Sequence, residues 1–107
     1  MEGLELISFQ IISSVGMARS SYIEAIKEAR NGNFDIANEK IKEGEEYFIK
    51  GHSAHAELIQ QEAGGSPVQP SLLLLHAEDQ LMSAETIKII AEELIINYKR
   101  ISNLENA

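Results

Sequence analysis

The chain has 107 residues, no cysteine, and 17 acidic against 9 basic residues, for a formal net charge of −8. That length suits one domain, and the absence of cysteine excludes a disulfide scaffold and thiolate chemistry. A surface this negative repels phosphate backbones and anionic lipid, which sets nucleic acid and membrane aside and suits an encounter with a basic protein patch.

The N-terminus opens Met1-Glu2, with no basic leader and no small-residue cleavage site. No apolar run approaches the roughly 20 residues of a membrane span. The nearest, Ile87 to Ile96, carries Lys88, Glu92 and Glu93. The expectation is a cytoplasmic, soluble protein with no direct membrane insertion.

No segment sustains a period of two, so no strand is expected. The first helix is predicted over about residues 4–30. Leu4, Ile7, Ile11, Val15, Ala18, Tyr22, Ala25 or Ile26, and Ala29 recur at spacings of three and four, one apolar stripe close to a coiled-coil seam. Gly16 interrupts it at a cost of about 1 kcal/mol against alanine, for which close approach of a neighbouring helix is the expected reason. Asn31-Gly32-Asn33 ends the helix, and Asn33 is a candidate N-cap for the next.

The second helix is predicted over about residues 34–63. Its inner stripe is Phe34, Ala37, Ile41, Gly44, Phe48, Gly51, His55 and Leu58, and Glu39, Lys40, Lys42, Glu43 and Glu46 mark its charged face. Gly64-Gly65-Ser66-Pro67-Val68-Gln69-Pro70 then breaks the chain, glycine stopping one helix and proline barring its continuation. Neither side alone could bury a core, so the break does not divide domains.

The third helix is predicted over about residues 71–104. One apolar stripe is Leu73, Ala77, Gln80, Ala84, Ile87, Ala91, Leu94, Tyr98 and Ile101, and a second is Leu75, Met82, Ile89 and Ile96. Together they cover well over half the circumference, more than a helix needs inside a single small bundle. The expected fold is all-α, a three-helix antiparallel up-down bundle forming a single domain over 1–107. Its third helix should pack twice, once inside the bundle and once against other copies.

Between the two stripes runs a third line of Leu72, His76, Asp79, Ser83, Thr86 and Ile90. Residues three apart on a helix are neighbours, so His76 and Asp79 point in similar directions. A neutral imidazole nitrogen near pH 7 is a good nucleophile toward phosphorus. The carboxylate could orient that ring or hold a cation. Alternatively, Asp79 could face its own copies across a symmetry axis, where a hard ion such as Mg²⁺ or Ca²⁺ would supply the counter-charge. The bland alternative is a partly buried histidine bonded to an aspartate inside a bundle core. His52 and His55 share a face of the second helix at a spacing that could bind zinc or copper. No third ligand accompanies them, and a hydrogen-bonded structural His55 is the favoured reading. There is no phosphate loop, no His-Glu-x-x-His site and no Gly-x-Ser-x-Gly elbow.

His76-Ala77-Glu78-Asp79-Gln80-Leu81-Met82 resembles the active-site signature of the lactose/cellobiose-type IIA component of the bacterial phosphoenolpyruvate-dependent sugar phosphotransferase system. Val15-Gly16-Met17-Ala18-Arg19-Ser20, Gly32-Asn33-Phe34, and His55 with the run from Leu58 to Gly64 are also similar to that family, so the resemblance spans nearly the whole chain. It implies a homotrimeric phosphotransferase component. His76 would accept a phosphoryl group from the phosphocarrier HPr and donate it to a cysteine of the cognate IIB component. IIB then phosphorylates a β-glucoside, cellobiose or lactose-type disaccharide entering through IIC. Asp79 would bind a divalent metal, magnesium being the ion expected, at the trimer axis. Glu78 stands where the family often has glutamine and Gln80 where it often has histidine. An ionised glutamate cannot donate a hydrogen bond to a phosphoryl oxygen, whereas Gln80 can. The rival functions are a histidine phosphotransfer domain of two-component signalling, whose usual His-x-x-Lys-Gly meets Asp79-Gln80 here, and a non-enzymatic helical adaptor.

Overall fold

A computed structural model describes residues 3–107; Met1 and Glu2, on which the reading of a leaderless N-terminus rests, lie outside it. Three helices account for almost all of the described chain: α1 (Gly3–Arg30), α2 (Phe34–Ala63) and α3 (Leu72–Glu105). There are no strands among these residues. The helices run up, down and up in a rod of 60 × 24 × 20 Å. No helix is long and apolar enough to cross a membrane among the described residues.

Short connections enforce the reversals. Gly32 takes a φ of 83°, the left-handed conformation that ends α1 without a side-chain penalty. Asn33 occupies the N-cap position of α2, but its side chain makes no cap bond there. Its Nδ2 donates instead to Glu28 Oε2 at 2.9 Å, tying the turn back to the end of α1.

α1 is the central element and packs along both others, whereas α2 and α3 meet least. Its expected stripe is inside: Ile11, Val15, Ala18, Tyr22, Ala25 and Ala29 are all buried. The small residues let the helices approach closely. Val15 lies against Gly51, and the ring of Tyr22 lies against Gly44 so closely that a β-carbon there would collide with it. Gly16 has open space where its side chain would be. The expectation that Gly16 serves a close helix contact is therefore wrong; the contact falls on the two glycines of α2, which face α1 on its buried side.

α3 buries Ala77, Ala84 and Ala91 of the first expected stripe, half-buries most of the rest of it, and extends the inner face beyond it. Leu74, Ala77, Leu81, Ala84, Ala91 and Ile95 are its buried residues. Leu74, Leu81 and Ile95 belonged to neither expected stripe, and Ile101, the last residue of the first stripe, is exposed. A helix apolar over well more than half its circumference gives only a weak periodic signal for how far its neighbours will cover it. The second stripe is outside: Leu75, Met82, Ile89 and Ile96 keep 57, 60, 58 and 54% of their surface in contact with solvent. One subunit does leave an apolar face of α3 uncovered, as the composition of that helix requires.

Candidate functional site

Pro70 and Ser71 fix where α3 begins. Proline disfavours helical backbone in the residue before it, and Ser71 is extended, with its hydroxyl accepting from the Leu74 N–H at 3.0 Å. His76 therefore sits at the start of the second helical turn, at the end of the rod shared by the start of α1 and the end of α2.

His76 is exposed, as is Asp79. Helical side chains lean toward the N-terminus. The imidazole accordingly forms one wall of a shallow, open, largely apolar hollow with Leu72 and Leu73. His76 and Asp79 make no hydrogen bond with each other. No hydrogen bond to either ring nitrogen of His76 occurs among the described residues. The bland alternative, a buried histidine bonded to its aspartate, is excluded by the same two facts. Gln80, one turn beyond His76, is half-buried.

Glu78 faces the other way. Two residues on a helix turn by about 200°, so its carboxylate leaves His76 and meets α2. There the Nε2 of His55 lies 2.8 Å from Glu78 Oε2. Because a carboxylate only accepts, Nε2 carries the hydrogen and donates it. The side chains are 20 and 36% exposed, so the pair sits at the lip of the bundle rather than in its core. It borders a cavity of about 190 Å³ closed mainly by Leu58, Val68, Pro70 and Leu74. His55 is thus the hydrogen-bonded structural histidine expected, and His52 is exposed with its ring 5.9 Å from that of Phe48. Nothing local in the sequence pairs residues 55 and 78; only the antiparallel packing of α2 on α3 does so.

The same packing positions Lys88, whose Nζ is 2.9 Å from Glu45 Oε1. That hydrogen bond raises the lysine's pKa against the opposing effect of partial burial. Deeper in, the Tyr22 hydroxyl is buried without a hydrogen-bond partner among the described residues. Its pKa is pushed up to about 12, chiefly by burial and then by the negative charges of Glu45 and Glu92.

The exposed residues of α3 reveal one more regularity. Leu72, Leu75, Asp79, Met82, Thr86, Ile89, Glu93 and Ile96 are all exposed and follow one another at alternating intervals of three and four. This is the spacing of a coiled-coil seam. The line mixes apolar and polar residues, which is why hydrophobic periodicity alone did not isolate it. Asp79 lies in the seam and His76 beside it. No group of three or more His, Asp or Glu side chains that could hold a metal occurs among the described residues of one chain. Asp79 could complete such a group only with donors from other copies.

Comparison with known proteins gives this geometry its context. Residues 6–99 match the family described as PTS system, Lactose/Cellobiose specific IIA subunit. The lichenan-specific phosphotransferase enzyme IIA component of Bacillus subtilis is 42% identical over 106 residues, covering 99% of this chain and 96% of that protein. The lactose-specific EIIA component of Staphylococcus epidermidis is 33% identical over 97 residues, covering 91 and 93% of the two chains. The crystal structure of the cellobiose-specific enzyme IIA of Bacillus anthracis superposes with a TM-score of 0.93 at 40% identity, covering 96% of this chain and 94% of that one. The fold, the nearly complete coverage and the family match agree: the chain belongs to the lactose/cellobiose-specific IIA family of the phosphotransferase system.

Proposed function

We propose that this protein is a phosphoryl carrier in which His76 takes a phosphoryl group from HPr and passes it to the cysteine of a cognate IIB component, for uptake of a β-glucoside, cellobiose or lactose-type disaccharide. One observation carries the assignment of the residue: His76 is an exposed imidazole beside an open apolar hollow at the start of α3. Family membership supports the reaction class, and relatives specific for lichenan, oligo-β-mannoside and lactose support the sugar class.

The chemistry asks little of bystander groups. Phosphoryl transfer depends on in-line approach and charge stabilisation. Neutral His76 attacks the phosphorus of phospho-HPr through Nε2, the nitrogen that reaches farther from the helix. The P–N bond of the donor breaks as the new one forms. The apolar walls formed by Leu72 and Leu73 suit a partner that docks closely and excludes water from the transferring group. Gln80 offers a hydrogen bond to a phosphoryl oxygen. Glu78, turned away and bonded to His55, is not beside the phosphoryl group of its own chain.

The exposed α3 seam supports assembly into a homotrimer about an axis running along α3. Such an arrangement would bring three Asp79 carboxylates together, an oxygen donor set that fits a hard divalent cation such as Mg²⁺. The ion would supply counter-charge to the carboxylates, and phosphoryl transfer is not routed through it.

The test is incubation with phosphoenolpyruvate, the first enzyme of the system and HPr. Wild type should become labelled and His76→Ala should not. Equal labelling of both would refute the assignment.

A further inference from the structure

The end of α2, the connector and the start of α3 converge on a cavity that shares no residue with the hollow beside His76. Gly65 takes a φ of 95°, and the Ser66 N–H donates to the Gln61 carbonyl at 3.1 Å, so the chain turns as soon as α2 ends. Pro67 and Pro70 bar a helix in the connector, which instead brings Val68 and Pro70 to the cavity. Leu58 and Leu74 are buried and form its floor, whereas Ile59 and Glu62 stand exposed at its mouth. A volume of about 190 Å³ suits a molecule of about eight non-hydrogen atoms.

The lining decides what that molecule is. The walls are apolar except for His55, Glu62 and Glu78. A sugar needs a polar partner for nearly every hydroxyl it buries, and three polar side chains do not supply them, so the cavity is no seat for a disaccharide. His55 is already committed, its Nε2–H donating to Glu78 Oε2 at 2.8 Å. Glu78 Oε1 and the Glu62 carboxylate remain as acceptors at the cavity, with no hydrogen-bond partner among the described residues. Neither lysine nor arginine occurs before Arg19 or from residue 51 to residue 87, so no such cation in these stretches offsets the two carboxylates. The apolar cup makes the site, and the charge at its lip selects the occupant.

We propose that this cavity binds a small organic cation, an apolar body of about seven carbons bearing a primary ammonium. The body fills the space between Leu58, Val68 and Leu74, and the ammonium donates to Glu62 and to Glu78 Oε1. The site is independent of the acceptor role of His76. Leu75 lines the cavity and also belongs to the exposed α3 seam, so assembly through that seam would close one side of it.

The experiment titrates the full chain with benzylamine and follows backbone amide NMR signals. Benzylamine should shift the amides of Leu58, Glu62, Val68 and Leu74 with a Kd on the order of 1 mM, ordinary for so small a ligand. Benzyl alcohol has the same shape without the charge and should bind about fivefold more weakly. Glu62→Gln should weaken benzylamine by about threefold and leave the alcohol unaffected. Val68→Phe fills the cup from the connector and should abolish binding of both, with helical circular dichroism unchanged. Glu62 is exposed, so its variant and the amine–alcohol comparison carry the test even where Val68→Phe unfolds the chain. No shift up to about 20 mM benzylamine, or shifts confined to other residues, overturn the site. Benzylamine that binds a folded Val68→Phe as it binds wild type overturns it too. Equal affinity for amine and alcohol overturns the ligand class.

Discussion

Placing a charge in the exposed seam of α3 gives the sharpest test of the assembly. Ile89 keeps 58% of its surface exposed in the single chain, so Ile89→Glu leaves the intrachain core untouched. Full burial of an isoleucine contributes roughly 1.5–3 kcal/mol, so covering the part left exposed contributes about 1 kcal/mol per subunit. A threefold layer of Ile89 then contributes about 3 kcal/mol to a trimer. Replacing it removes that term and crowds three carboxylates on the axis, which adds a further penalty. The loss of 3 kcal/mol alone weakens association by about 100-fold. Sedimentation equilibrium reads the outcome directly. Wild type should show roughly three times the 11.9 kDa of one chain, and Ile89→Glu should approach one, with helical circular dichroism unchanged. A variant that still sediments as the trimer would refute the claim that this face holds the subunits together. Wild type at 11.9 kDa would refute it equally.

Four further substitutions have defined outcomes. Gly16→Ala should stabilise the fold by about 0.5–1 kcal/mol, because helix propensity improves and the added methyl meets nothing. Gly44→Ala should destabilise it by about 1–2 kcal/mol, because the methyl collides with the fully buried ring of Tyr22, which cannot swing aside. Urea titration at fixed protein concentration separates the two signs, and equal effects would show that the Tyr22–Gly44 contact is misplaced. Tyr22 titrates at about 12 in the fold against 10.0 ordinarily, so its contribution is full below pH 10 and lost as pH climbs toward 12. Unfolding free energy should fall by roughly 2 kcal/mol over that window. Tyr22→Phe should lack this part of the alkaline loss and be no less stable at neutral pH, since the hydroxyl has no hydrogen-bond partner among the described residues. Asp79→Leu should keep the trimer and abolish any dependence of its melting temperature on added Mg²⁺; dissociation to monomers would assign the assembly to the carboxylate instead.

The sequence by itself determined the three helices, their breaks, and the buried stripe of α1 from Ile11 to Ala29, because these follow from local propensity and a periodic contrast between apolar and polar residues. It also determined that α3 has more apolar surface than one chain covers. Its family signature marked His76. The tertiary structure decided how far round α3 the buried face extends, adding Leu74, Leu81 and Ile95, since a helix apolar over more than half its circumference carries little contrast to read. It decided that Gly44 and Gly51, not Gly16, admit close neighbours, because a glycine's purpose depends on what stands opposite it. Most of all, it joined His55 to Glu78. A contact between residues on different helices is a matter of register between rods, and no local pattern encodes it.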